Sequence, residues 1–245
     1  MQFVTYLILL VAAYLVGSIP FGLVIVRITT GRDIRQVESG RTGGTNAMRA
    51  AGFWAGLVTA ILDLLKGAAA VWLARYLFPD QYLLHVLMPF FAILGHNYSV
   101  FLIEHNEKGQ LRLRGGAGGA PTAGGAMGLW LPTILFTLPI GVGILYFVGY
   151  ASIATLSVPV VATLLFAYRA WVGVGPWEYI LYGILTEILL VIALLPNIRR
   201  LINGTERVVG FRARRKKVVE AKKELISMPK GHHNHSSSSS SSSSS

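Results

Sequence analysis

The 245-residue chain contains no cysteine. That absence removes disulfides, thiolate nucleophiles and Cys-based metal sites together. Charge is scarce as well: 13% of residues are Asp, Glu, Lys or Arg, about half the ~25% usual in a soluble domain. Acidic residues are the scarcest, 11 against 22 Lys and Arg, which leaves a net charge of +11. No His/Asp/Glu group has the spacing of a metal site. No internal repeat of the kind common in transporters is found either. The first apolar run, "FVTYLILLVAAYLVG", lacks a basic segment before it and a small-residue cleavage pattern after it. It reads as a retained span and not a signal peptide.

Apolar sequence is what the chain has in quantity. It is 53% hydrophobic with a mean hydropathy of +0.56, and several runs approach the ~20 residues that a spanning helix needs. Spans are expected at about 3–26, 53–75, 82–103, 153–168 and 176–196. The stretch 118–151, with Pro132 and Pro139 near its centre, is long enough for one comfortable span or two short ones. Charge decides between these. Basic residues collect in the 27–49 loop, in the 104–114 loop and after Pro196, where 11 of the 22 Lys and Arg lie. Placing all three regions on the cytoplasmic side requires 118–151 to cross twice. The expectation is an all-α integral membrane protein of about seven helices, some short or interrupted, with its N-terminus outside and its C-terminus cytoplasmic. Residues 1–206 form one polytopic domain, 207–231 a basic tail suited to anionic lipid and not to nucleic acid, and 232–245 a low-complexity His/Ser segment that cannot build a core.

This topology gathers "SGRTGGTN", "GHNYSVF", "RGGAGGAPTAGG", "YASIAT" and "NIRRLINGTE" on one face. Glycine-rich loops expose backbone N–H groups, and with arginines they make concave sites for phosphate oxygens. A small phosphorylated ligand at the cytoplasmic edge of the bilayer is the chemistry they suit. Other polar residues have plainer readings. Asp63 and Lys66 share a helical face and can neutralise each other. Glu187 suits a hydrogen bond inside the bundle, and His96 either a base or a contact to nearby backbone. Trp54, Trp72, Trp130, Trp171 and Trp177 suit interfacial anchors.

Five blocks, in order, carry a resemblance. They are "GSIPFG" at 17–22, "DIRQVESGRTGGTNAMR" at 33–49, "DLLKG" at 63–67, "GHNYSVF" at 95–101 and "NIRRLINGTE" at 197–206. Together they resemble the PlsY family of bacterial acyl-phosphate:glycerol-3-phosphate acyltransferases, over roughly residues 10–206. The resemblance implies transfer of an acyl group from acyl phosphate to glycerol 3-phosphate, giving lysophosphatidic acid and inorganic phosphate for phospholipid synthesis. It further implies a multi-pass protein of the bacterial plasma membrane, monomeric and without cofactor or metal, whose acyl phosphate comes from a phosphate acyltransferase. The family lacks the His-x₄-Asp dyad of other glycerol-phosphate acyltransferases. Here too, the residues five places after His85, His96 and His105 are Phe90, Phe101 and Gln110.

Matched position by position, the resemblance makes Ser39, Arg49, Ser152 and Asn197 the catalytic candidates. Thr45, Asn46, Arg41, His96 and the glycine-loop residues Gly115, Gly116 and Gly118 become the substrate-binding ones. Departures from the family pattern are definite. Ala117 and Leu194 stand where the family usually has lysine and histidine, Arg41 where it has asparagine, and Pro121 where it has threonine, with Thr122 one place late. Arg41 and Arg114 are the cations expected to compensate for Ala117. Two other readings stay open: a transporter of a small phosphorylated solute, coupled through Asp63, Lys66 and Glu187, and a catalytically silent member that binds phosphate or lipid.

Overall fold

A computed structural model describes residues 2–105 and 109–211; the expected tail boundaries at 231 and 245, and Lys108, lie outside the described residues. The chain runs α1 (Gln2–Ser18), α2 (Phe21–Thr30), α3 (Gly44–Ala51), α4 (Phe53–Leu77) and α5 (Tyr82–Asn97). A hairpin of β1 (Ser99–His105) and β2 (Leu111–Arg114) follows, then α6 (Gly119–Leu129), α7 (Ile134–Gly143), α8 (Ala151–Trp171) and α9 (Glu178–Ile202). α7 continues as one π-helical turn over Ile144–Val148.

By length and composition, five segments can cross a membrane: Gln2–Thr30, Phe53–Leu77, Leu131–Val148, Ala151–Trp171 and Glu178–Ile202. α5, with 16 residues, and α6, with 11, are shorter. They reach about 24 Å and about 16 Å at 1.5 Å per residue. Both are cut short at the same end, where the chain opens into the loops described below. The chain leaves that end at Gly118 and returns to it at Ala151; within this stretch only Leu131–Val148, among the described residues, is long and apolar enough to cross a membrane.

Two expected spans need correction. The first, expected to run unbroken over 3–26, stops at Ser18 and resumes at Phe21. Pro20 has no N–H to continue the ladder, and the residue before a proline is pushed out of helical geometry. Carbonyls freed at such a break must find donors inside an apolar environment. The Ser99 hydroxyl donates to the Ser18 carbonyl at 2.6 Å, and Lys66 Nζ donates to the Ile19 carbonyl at 3.2 Å. The other correction concerns 82–103, where the helix ends at Asn97 and the rest is strand β1. "SVFLIEH" alternates exposed and covered positions and pairs antiparallel with "LRLR". Its apolar residues had extended the span's hydrophobic run past the true helix end.

Small residues let the helices approach closely. A side chain on Gly67 of α4 would run into the Pro121 backbone of α6, and one on Gly124 of α6 into the Leu64 carbonyl of α4. The main core gathers Val71, Val86, Ile93, Phe166, Tyr182 and Leu190 from α4, α5, α8 and α9. Asp63 and Lys66 are paired, as their spacing predicts, at 2.9 Å and with side chains only 1% and 2% exposed. Glu187 is half-buried, and its Oε2 has no hydrogen-bond partner among the described residues. Of the tryptophans, Trp54, Trp171 and Trp177 are well exposed, while Trp130 lies under the guanidinium of Arg169, 4.2 Å from its ring centre.

Candidate active site

One end of the bundle carries the segments 31–52, 98–105, 109–118 and 203–211, and a cavity of about 160 Å³ opens there. Three helices begin at this cavity. Gly43, Gly44 and Thr45 bring the start of α3, Gly118, Gly119 and Ala120 the start of α6, and Ala151 and Ser152 the start of α8. None of the three has a side-chain cap. An uncapped helix start leaves backbone N–H groups without partners and carries the positive end of the helix dipole. Gly118 supports this at α6 with φ +88°, a left-handed conformation that favours glycine. Pro121 falls in the first turn of α6, where a missing N–H costs nothing. Thr122 does not line the cavity; its carbonyl accepts from the Tyr182 hydroxyl at 2.6 Å.

Cations complete the wall. Arg41, Arg49, Arg200 and Arg207 line the cavity with Asp63, His96 and Glu206. Arg49 makes no hydrogen bond or ion pair with any described residue. Burial pushes the guanidiniums of Arg41 and Arg49 below their ordinary value, yet arginine starts so high that both remain charged. Arg200 is held at 3.1 Å by Glu206, and Arg207 lies 3.5 Å from Glu38. Helix starts and guanidiniums together make a concave site for an anion rich in acceptor oxygens.

The structure brings most of the expected residues to this cavity. Ser39, Arg49, Ser152 and Asn197 line it, as do Thr45, Asn46, Arg41, Gly118 and His96. Ser152 is buried and its hydroxyl has no partner among the described residues. Asn46 turns its Nδ2 to the carbonyls of Ile34, Val37 and Arg41 at 2.9–3.2 Å, holding the first loop, while its Oδ1 has no such partner. Two glycines lie elsewhere. Gly115 lines a neighbouring cavity of about 530 Å³ beside the hairpin, and the Gly116 N–H donates to the His96 carbonyl at 2.8 Å.

Arg41 does something the sequence did not indicate. Its Nη1 donates to the Gly116 carbonyl at 2.8 Å, and its Nη2 to the Ala193 carbonyl at 2.7 Å and to Asn197 Oδ1 at 3.2 Å. It ties the glycine loop to α9. Arg114 faces the neighbouring cavity, with Nε 2.8 Å from Glu104 Oε2. Among the described residues, the cavity-lining arginine without a hydrogen bond or ion pair is therefore Arg49, and Arg200 and Arg207 were missed. Asn197 and Arg200, three apart on one helix face, carried the signal for the first of these. Arg207 reaches the cavity only because Glu206 turns back, accepting from Asn197 Nδ2 at 2.9 Å, and the strap then pairs Val208 with Tyr150. That return is not visible in a linear reading.

Known proteins resemble this chain in sequence and in fold. The profile of the glycerol-3-phosphate acyltransferase family matches residues 7–204. Glycerol-3-phosphate acyltransferase 2 of Moorella thermoacetica is 36% identical over 208 residues, covering 85% of this chain and 100% of that one. A glycerol-3-phosphate acyltransferase of Thermus thermophilus is 38% identical over 204 residues, covering 83% and 95%. The crystal structure of PlsY, an integral membrane glycerol 3-phosphate acyltransferase, in its glycerol 3-phosphate form superposes with a TM-score of 0.71 at 30% identity, over 91% of this chain and 100% of that one. Its lysophosphatidic acid form gives a TM-score of 0.69. Sequence similarity and structural likeness thus extend along nearly the whole described chain, and the protein belongs to the PlsY family of integral membrane glycerol-3-phosphate acyltransferases.

Proposed function

We propose that the protein transfers an acyl group from acyl phosphate to the 1-hydroxyl of glycerol 3-phosphate, releasing lysophosphatidic acid and inorganic phosphate. The observation that carries this reading is the convergence on one cavity of three uncapped helix starts and of Arg49, which has no partner among the described residues. Such a site suits phosphate oxygens, and both substrates and the leaving group bear them. The hydroxyl oxygen attacks the acyl carbonyl carbon, the bond from that carbon to the phosphate oxygen breaks, and the hydroxyl proton passes to a phosphate oxygen. No protein nucleophile is required, because an acyl phosphate is already an activated anhydride. Holding both reactants in place and neutralising the departing phosphate supply the rate. Arg49 offers the fork for phosphate, Ser39, Thr45 and Ser152 offer hydroxyls, and Asn197 aligns Arg41 with the C-terminal strap. Relatives point the same way: PlsY was crystallised in glycerol 3-phosphate and lysophosphatidic acid forms.

In this reading the cavity end is cytoplasmic, since the basic loops gather there. Reporter fusions after residues 110 and 215 should then report one side, and a fusion after 170 the other. The chemistry is tested with purified protein, acyl phosphate and glycerol 3-phosphate. Phosphate release is expected, with no turnover when acyl-CoA or acyl-carrier protein replaces the donor. Efficient use of acyl-CoA, or a trapped acyl-enzyme, overturns the mechanism. One observation favours binding without turnover: Ala117 and Leu194 both line the cavity where the family usually has lysine and histidine. Glycerol 3-phosphate binding without phosphate release would select that reading.

A further inference from the structure

Asp63 borders the cavity but is 1% exposed, with its Oδ1 turned to protein neighbours. Its neighbours show what it can do. Lys66 Nζ and His96 Nδ1 both approach Asp63 Oδ1, at 2.9 Å and 3.4 Å. His96 then holds the glycine loop twice. Its carbonyl accepts from the Gly116 N–H at 2.8 Å, and its ring packs so close to the Gly116 Cα that any β-carbon there would overlap it. From Gly116 the contacts continue through Arg41 to Ala193 and Asn197 of α9. A carboxylate on one imidazole nitrogen fixes the tautomer and the ring orientation.

We infer that Asp63 is a positioning residue for the Gly115–Gly118 loop, acting through the His96 ring. The inference rests on the reading of that loop as part of a phosphate site. A buried lysine deprived of its carboxylate is strongly unfavourable, so the variant to use is the neutral pair Asp63→Asn with Lys66→Met. A second variant, Gly116→Ala, displaces the same loop from the other side and leaves both charges in place.

The experiment measures inorganic phosphate binding to purified full-length protein, together with KM and kcat for phosphate release. Both variants should weaken phosphate binding about tenfold and raise the KM of one phosphorylated substrate by a similar factor, with kcat falling much less. A role confined to bundle stability would lower the folded fraction, and with it the apparent kcat, while leaving the phosphate dissociation constant and both KM values unchanged. That result overturns the inference, as does wild-type protein that shows no saturable phosphate binding. Combining Gly116→Ala with the neutral pair should add little, because both act on one loop; independent, multiplying losses also overturn it. Weakened phosphate binding in the variants with no turnover in wild type would uphold the inference and defeat the acyltransfer reading.

Discussion

The two ends of the helix bundle both bury polar groups, and they treat them differently. At the end away from the cavity nearly every group is answered within the protein. His85 bridges the Phe78 carbonyl at 2.8 Å and the Tyr179 hydroxyl at 3.1 Å. Arg75 donates to the Gly128 carbonyl at 3.0 Å and Arg169 to the Val174 carbonyl at 2.6 Å. The Thr133 hydroxyl is the exception there among the described residues. At the cavity end, Ser152 Oγ, Asn46 Oδ1 and both amide atoms of Asn97 lack partners among the described residues, and three helix starts are uncapped. Buried polar groups in native proteins are almost always satisfied. The exceptions gather at the end that carries the arginine-lined cavity.

The contrast breaks most sharply at Arg49. Its guanidinium has no described protein partner, so its replacement should leave the fold intact and strip the cavity of its free cation. Arg49→Ala is expected to lower kcat/KM for phosphate release by about 100-fold or more, the scale of losing one preorganised stabiliser of developing charge. Arg49→Lys should recover only part of this, because an ammonium cannot reproduce the fork. Unchanged melting with lost turnover confirms the division between ends.

His85 is the reciprocal case. His85→Phe leaves the Phe78 carbonyl and the Tyr179 hydroxyl unpaired in a buried setting, at a cost of about 1–3 kcal/mol. Thermal unfolding in detergent should fall accordingly, while KM and kcat of the folded protein stay at wild-type values. A selective change in KM would mean the far end is coupled to the site.

Ala117→Lys sharpens the comparison by adding a cation where the cavity lacks one. The apparent KM for glycerol 3-phosphate should fall about tenfold, equivalent to ~1.4 kcal/mol, and the gain should shrink in high salt. Inactivation would instead mean that the side chains around Ala117 already fill that space.

These differences were unevenly legible in the sequence. Helices α4, α8 and α9 follow from apolar run length, and the return of 118–151 to the cavity end from where the basic residues fall. The hairpin does not, because an apolar strand that directly follows an apolar helix simply lengthens the run. That Ser39, Thr45 and Arg49 would line one cavity was legible because the backbone of one contiguous motif keeps them together. The protein contacts of Arg41 were not legible for the opposite reason: its partners, Gly116 and Ala193, lie 75 and 152 residues away. Charge alone announces a cation without saying whether its donors are spent on protein or left for a ligand. Lys66 is a similar case, since pairing with Asp63 follows from spacing but its bond to the Ile19 carbonyl depends on the break at Pro20.

The smallest effect is expected at the seam between the cavity-end loops, where Asp33, Arg35, Glu104 and Arg114 join the first loop to the hairpin. Arg35 Nη2 lies 2.6 Å from Asp33 Oδ2, Arg35 Nη1 lies 3.1 Å from Glu104 Oε1, and Arg114 Nε lies 2.8 Å from Glu104 Oε2. The Arg35 guanidinium beside Asp33 holds its carboxyl below the usual aspartate range. A carboxylate depressed in the folded state stabilises that state above its ordinary value of about 3.9, and the stabilisation is lost as pH falls through the lower folded value. These side chains are 20–29% exposed, so solvent screening keeps the contribution to about 0–1 kcal/mol. Asp33→Asn should therefore speed amide exchange of β1 slightly at pH 7, and the difference from wild type should vanish on acidification below pH ~4. Half-molar salt should shrink it too. Phosphate release should be unchanged, because Asp33 and Arg35 do not line the cavity. A loss of turnover in Asp33→Asn that exceeds its effect on hairpin exchange would show that the seam, and not only the cavity wall, sets the geometry of the reacting groups.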